Sequence, residues 1–378
     1  MRIAQIAPPW FPVPPTGYGG TERVVSVLAD GLVDRGHEVT LFACPGSVTR
    51  AELVTTMDEP PDPAALNNAW DAVYHSYCAY QQAMDPEMGF DVIHDHCLVV
   101  GPAMGAMAEH RPPIVHTLHS NWTPESRRHF GMLHEAIELV AISASQRGGN
   151  PLLRYAGVVH NGIDVAAFPY CDRKADFLAF LGRASPEKSP VAAIEIAARA
   201  GMPLVMMIKA NQPEERAYWN EVVEPALAGL ESPEMVEVIF NAGHAVKVDR
   251  LSRARALLFP IAWEEPFGLA MVEAMACGTP VLATRRGSVP EVIDDGVSGW
   301  WLDPDDPVGS ALAALERLDV IEPAACRARV ETHFAAEVMV DRYERLYRRL
   351  AMRPVEGHAD TAVDLHELRG VRAGNAER

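Results

Sequence analysis

Ala256-Leu257-Leu258-Phe259-Pro260-Ile261-Ala262-Trp263-Glu264-Glu265-Pro266-Phe267-Gly268-Leu269-Ala270-Met271-Val272-Glu273-Ala274-Met275-Ala276-Cys277-Gly278-Thr279-Pro280-Val281-Leu282-Ala283 reads as strand, turn, helix and strand. The apolar run Ala256–Pro260 has the length of a buried strand, and Pro266–Gly268 is a strand-to-helix turn. The helix covers 268–276, and a short strand Val281–Ala283 follows. In that turn the backbone N–H groups of Phe267, Gly268 and Leu269 lack helical acceptors, which makes an anion site reinforced by the helix dipole. Glu265 precedes the helix and Glu273 lies on it a little over two turns later, so both carboxylates can address one extended ligand.

The same alternation extends in both directions. Towards the N-terminus lie strands at Phe177–Leu181, Leu204–Ile208 and Val236–Phe240, separated by helices at 189–200, 214–229 and 246–254. The rhythm breaks at Asn161–Asp176, a candidate interdomain linker. Before it, strands are expected at Arg2–Ala7, Glu38–Phe42, Asp91–His94, Ile114–Leu118, Leu139–Ile142 and Val158–His160. Helices are expected from Thr21 to Gly36 and around 65–84, 98–109, 124–135 and 143–149. Strands alternating with helices imply parallel sheets covered on both faces. Two such runs predict an α/β protein of two Rossmann-like domains facing each other across a cleft, with ligands at the carboxyl ends of the strands. Domains are expected at 1–165 and 166–335, a helix at 336–354 returning toward the first domain, and a disordered tail at 355–378.

Of the 378 residues, 33 are Lys or Arg and 51 are Asp or Glu, a formal net charge of −18. A polyanion is a poor partner for nucleic acid and for anionic lipid, so neither nucleic-acid binding nor membrane association is expected. Residues 51–100 hold nine of the acids and no Lys or Arg. Only four basic residues are lysines (174, 188, 209 and 247), which reads as a compositional bias toward arginine. The N-terminus lacks a signal-peptide pattern, no apolar stretch is long enough to span a bilayer, and the six cysteines form no CxxC pair. A cytoplasmic protein with reduced, mostly buried thiols is the expectation.

The Glu265-x7-Glu273 segment resembles the family 4, GT-B-fold retaining glycosyltransferases, and further segments match in the same order as in that family. Tyr18-Gly19-Gly20-Thr21-Glu22 is similar to its glycine-rich loop, and His116-Thr117-Leu118-His119 to its strand ending in a sugar-contacting histidine. Val159-His160-Asn161-Gly162-Ile163-Asp164 resembles its domain junction, and Gly182-Arg183-Ala184-Ser185-Pro186-Glu187-Lys188 its pyrophosphate clamp. Gly287-Ser288-Val289-Pro290-Glu291, with Gly296 and Gly299, completes the set. Two departures stand out: Lys209-Ala210-Asn211-Gln212 where many members have a glycine-rich turn, and Ser189-Pro190 after the clamp.

The resemblance implies a transferase that moves a hexosyl-type group from a nucleotide-diphosphate sugar to a small-molecule or glycan acceptor hydroxyl. Configuration would be retained by front-face displacement, without a metal or other cofactor. Arg183, Lys188 and the amides of Gly19 and Gly20 would hold the diphosphate. Glu265 would bind donor-sugar hydroxyls, Glu273 the ribose hydroxyls, and His119 would donate a hydrogen bond to the sugar. Asp95 and His96 read equally as acceptor-side or structural groups, and Asp303-Pro304-Asp305 as a turn rather than a metal motif. The alternatives are a catalytically silent nucleotide-sugar-binding protein and a nucleotide-sugar epimerase of the same architecture. The acidic first domain suggests a neutral or cationic acceptor; base, sugar and oligomeric state stay open.

Overall fold

The computed structural model describes residues 1–17, 19–61, 69–97, 100–108 and 111–352. Tyr18 of the glycine-rich segment, residues 65–68, 98, 99 and 109 of two expected helices, acidic Asp62 and the tail 355–378 lie outside the described residues.

The first domain contains β1 (Arg2–Ile6), β2 (Glu38–Ala43), β3 (Glu52–Thr55), β4 (Val92–Asp95), β5 (Ile114–Leu118), β6 (Glu138–Ala141) and β7 (Tyr155–Val158). They form one sheet in the order β3-β2-β1-β4-β5-β6-β7. The second contains β8 (Leu178–Arg183), β9 (Leu204–Lys209), β10 (Val236–Phe240), β11 (Ala256–Phe259), β12 (Val281–Thr284) and β13 (Gly299–Leu302), in the order β10-β9-β8-β11-β12-β13. Every pairing in both sheets is parallel. The order reverses beside β1 in one sheet and beside β8 in the other. These are the switch points where doubly wound sheets open a crevice beyond their strand ends.

Burial explains why these segments are strands. The central strands β4, β5, β9, β11 and β12 are buried at every position, as expected of β-branched and aliphatic runs covered by helices on both faces. Two edge strands had no counterpart in the sequence reading. Glu52–Thr55 is mostly exposed and too short to show alternation, and Gly299–Leu302 sits among turn residues. Most other boundaries shift by one or two residues, and the strand expected at Val158–His160 forms earlier, at Tyr155–Val158. The helix expected at 214–229 is interrupted by a π-helical turn at Trp219–Val223, just before Pro225.

The chain crosses between the domains twice, and the crossings are bonded to each other. Ile163 N–H donates to Phe334 O at 2.9 Å and Ala336 N–H to Ile163 O at 2.9 Å. The helix Ala336–Ala351 then returns to the first domain, burying Met339, Val340, Tyr343, Leu346, Tyr347 and Leu350 against the helix Gly20–Asp34 and β4. Each such side chain contributes roughly 1.5–3 kcal/mol of burial free energy. Among the described residues no helix is long and apolar enough to cross a membrane. All six cysteines carry free thiols, four of them buried.

Candidate active site

A cavity of about 670 Å³ lies between the carboxyl ends of the two sheets. Each predicted donor-side residue lines it: Gly19, Gly20 and His119 from the first domain, and Arg183, Lys188, Glu265, Phe267, Gly268, Leu269 and Glu273 from the second. Gly19 has φ +144°, and a Cβ there would meet the Pro15 ring at 2.8 Å, so the loop can reach the cleft only as bare backbone. Gly20 faces Leu269 of the opposite domain closely enough that a Cβ would touch its Cδ1 at 3.3 Å.

On the second domain the turn before the helix Leu269–Ala276 is held by the loop after β12. Ser288 N–H donates to Glu265 O at 2.8 Å, Ser288 Oγ donates to Phe267 O at 2.8 Å, and Gly287 N–H donates to the Glu264 carboxylate at 2.6 Å. Gly268 caps the helix with φ +81°. Among the described residues the N–H groups of Phe267, Gly268 and Leu269 have no hydrogen-bond acceptor, which leaves them for a ligand anion.

The cations of this wall are paired with carboxylates. Lys188 Nζ donates to Glu265 Oε2, which also accepts from Trp263 Nε1 at 2.9 Å. The Lys188 ammonium lies 4.8 Å from the Trp263 ring centroid and 5.2 Å from that of Phe259, within cation–π range. Arg183 Nη2 donates to Glu187 at 2.6 Å. Two further pairs were not foreseen. Lys209 Nζ bonds both oxygens of Glu215 at 2.9 and 3.0 Å, and Lys247 Nζ donates to Glu273 at 2.5 Å. Burial lowers the Lys209 pKa against the pull of Glu215. Lys188, Lys209 and Lys247 all line the cavity, so three of the four lysines in the chain converge there. The few lysines of this arginine-rich chain are thus concentrated at the cleft.

His119 follows β5 and bridges the large cavity to a smaller one of about 230 Å³ in the first domain. Its Nε2 lies 2.9 Å from His96 Nδ1; His96 Nε2 lies 3.0 Å from Gln5 Oε1, and Gln5 Nε2 donates to Tyr347 OH at 3.1 Å. Burial pushes the imidazoles of His96 and His119 well below their ordinary pKa, so both are neutral. His96 lines the smaller cavity, whereas Asp95 does not reach either one. Asp95 is 0 % exposed and accepts from Cys97 N–H at 2.6 Å. The acceptor-side reading of Asp95 is thus corrected: as the last residue of β4 it points into the core. Asp303 accepts from Asp305 N–H at 2.9 Å and Asp306 caps the helix Pro307–Leu315, the turn roles expected of that segment.

Glu291 ties the two domains together. Its carboxylate accepts from the N–H groups of Ala144 and Ser145 at 2.7 and 2.8 Å and lies 3.0 Å from His160 Nε2.

Comparison with known proteins agrees with this geometry on both domains. The model described as Glycosyltransferase Family 4 matches residues 18–167, and that described as Glycosyl transferases group 1 matches residues 171–319. Glycogen synthase of Mycobacterium tuberculosis is 27 % identical over 385 residues, covering 87 % of this chain and 88 % of that protein. D-inositol 3-phosphate glycosyltransferase of Mycolicibacterium vanbaalenii is 28 % identical over 387 residues, covering 84 % and 81 %. AviGT4, a glycosyltransferase involved in avilamycin A biosynthesis, superposes with a TM-score of 0.67 at 25 % identity, covering 93 % of this chain and 98 % of that one. With a family match on each domain, full-length relatives that are glycosyltransferases and two parallel sheets meeting at one cleft, the chain belongs to the family 4 glycosyltransferases of GT-B fold.

Proposed function

We propose that the protein transfers a hexosyl-type group from a nucleotide-diphosphate sugar to an acceptor hydroxyl with retention at the anomeric carbon, without a metal. The observation that carries this reading is the convergence of Arg183 and three lysines on one wall of the cleft, beside free helix amides and opposite His119. A departing nucleoside diphosphate carries about two to three negative charges, one of which develops on the β-phosphate as its bond to the sugar breaks. Preorganised cations and N–H donors are the groups that stabilise such charge. Lys188 and Arg183 exchange their carboxylate partners for phosphate oxygens when the donor binds. Glu265, next to Lys188 in the turn before the helix, and Glu273, on the helix Leu269–Ala276, receive hydroxyls of the sugar and the ribose.

In this mechanism the acceptor oxygen bonds to the anomeric carbon on the face that the phosphate leaves. The acceptor proton passes to the departing β-phosphate, so no protein base is required. Closure of the cleft excludes water that would otherwise hydrolyse the donor. The work takes place in the cytoplasm, where such donors are made.

The test is release of nucleoside diphosphate across a panel of UDP-, GDP-, ADP- and dTDP-sugars in EDTA, with the product anomer read by NMR. Release that survives EDTA and yields the donor's own anomer supports the reading. Release abolished by EDTA, an inverted anomer, or undiminished turnover in both Glu265→Ala and Lys188→Ala overturns it. Interconversion of the donor sugar without transfer points instead to an epimerase.

A further inference from the structure

The smaller cavity sits in the first domain and opens to the cleft through Gly20, Thr21, His119 and Ser120, which line both. One wall is apolar, with Pro9, Trp10, Leu118 and Phe130. Flat aromatic and proline faces of this kind pack against the C–H faces of a pyranose or cyclitol ring. At about 230 Å³ it has room for one such ring and not for an oligosaccharide.

The other wall carries Glu22, from the first turn of the helix Gly20–Asp34. This residue is 4 % exposed, and no side chain or backbone group of another described residue bonds its carboxylate. A buried carboxyl with only its own backbone amide beside it resists ionisation, and burial pushes the Glu22 pKa up to about 7. An acid held in that state lacks a counter-ion, and a ligand can supply one.

The remaining polar groups narrow the choice. Among the described residues lining this cavity there is no lysine or arginine, the imidazoles of His96 and His119 are neutral, and the third, His116, turns its Nδ1 toward the Asp95 carboxylate at 3.5 Å. A phosphate ester would find no cation here and would meet the Glu22 carboxyl. An ammonium would find its counter-ion.

We propose that the cavity holding Glu22 is the acceptor site, and that it takes a single polyhydroxylated ring bearing a protonated amine, which pairs with Glu22 while a ring hydroxyl lies beside His119. This rests on the transferase reading above. The amine stays protonated and does not react. The hydroxyl oxygen forms the new bond to the anomeric carbon, the bond from that carbon to the β-phosphate oxygen breaks, and the hydroxyl proton leaves on the diphosphate. The acceptor is thereby set apart from the phosphorylated inositol in the name of one relative.

Titration calorimetry with scyllo-inosamine, myo-inositol and myo-inositol 1-phosphate tests the pocket without any donor. Glucosamine, glucose and glucose 6-phosphate form a second matched series. The amine of each series is expected to bind at least tenfold more tightly than its hydroxyl analogue at pH 7. Glu22→Gln, which keeps shape and volume, is expected to bring that ratio to near one while its melting curve stays cooperative. Ala72→Trp, which fills the cavity from the helix Ala69–Ala83, is expected to abolish binding of all three members. Equal binding of amine and hydroxyl, tighter binding of either phosphate ester, or an amine preference that survives Glu22→Gln overturns the proposal. Failure of the donor panel with selective amine binding would sink the transferase reading and leave the pocket assignment; donor turnover without amine selectivity would do the reverse.

Discussion

His119 Nε2 lies 2.9 Å from His96 Nδ1, and this contact determines what His119 can offer a sugar. Gln5 donates its amide N–H to Tyr347, so its carbonyl accepts from His96 Nε2–H. His96 Nδ1 is then a lone pair, and it accepts from His119 Nε2–H. The other nitrogen of the neutral His119 ring is left as an acceptor. The expectation that His119 donates to the sugar is therefore revised: its free nitrogen accepts a hydrogen bond from a hydroxyl, which keeps its proton. Gln5→Leu removes the group that sets this polarity. We expect kcat to fall by about tenfold with little change in donor KM, and the nitrogen NMR signals of His119 to show mixed tautomers.

Lys188 and Glu265 share one hydrogen bond at the reacting end of the cleft, so removing either also misplaces the other. Lys188→Ala and Glu265→Ala are each expected to lower kcat by about 10²–10³-fold. The double variant should cost much less than the product of the two. Lys247→Met, at the Glu273 end, is expected to act mainly on donor KM. Steady-state kinetics on the four variants separate these effects.

Gly287 has φ +58°, and a Cβ there would lie 2.3 Å from both the N and O atoms of Glu265. Those are backbone atoms of the loop that presents the carboxylate, so they cannot swing aside. Gly287→Ala is expected to destabilise the fold by about 2–3 kcal/mol and to lower activity by displacing Glu265. Denaturant melts and kinetics on the same preparation test both effects.

Glu344 joins the C-terminal helix to the first domain through Arg35 at 2.6 Å and His37 at 3.0 Å, and also accepts from Arg348 of its own helix at 2.6 Å. The Arg35 guanidinium, with help from the other two, holds its carboxyl at about 2 against an ordinary 4.5. The folded value is the lower one, so the unfolded chain takes up the proton first as pH falls. Stability from this site is complete above about pH 4.5 and is lost progressively toward pH 2. Glu344→Gln is expected to lower stability at pH 7 and to flatten the acid limb of the stability curve over that window.

Glu291 bonds two amides of the helix Ala144–Gly148 and also His160, both across the domain boundary. Glu291→Ala is expected to loosen the closed arrangement. Small-angle scattering should report a larger radius of gyration, and donor hydrolysis without acceptor should rise as water gains access.

The strands that build the cleft were legible because buried parallel strands are continuous apolar runs, and Leu204–Lys209 or Ala256–Phe259 can hardly be read otherwise. The edge strand Glu52–Thr55 was not, since a strand paired on one side and open to water on the other needs no apolar pattern. The donor wall was legible through Arg183, Lys188, Glu265 and Glu273, whose spacing around turns carries the chemistry. Lys209 and Lys247 escaped because their partners, Glu215 and Glu273, meet them only through the fold. Asp95 misled for the opposite reason: strand-end position alone does not say which face of the sheet a side chain takes. The state of Glu22 could not be read at all, because a buried acid is defined by what surrounds it.

The C-terminal helix has a consequence for the order in which the protein matures. The core containing Ile3, Val24, Leu28 and Val92 is completed by Val340, Tyr343, Leu346, Tyr347 and Leu350. The second sheet and its helices, by contrast, lie in one uninterrupted stretch between the two crossings. The half that leaves the ribosome first must wait for residues made only after the whole second domain, while the half that leaves second can close as soon as it emerges. A chain cut short after Ala335 would keep the nucleotide-facing wall and lose the core that supports the other.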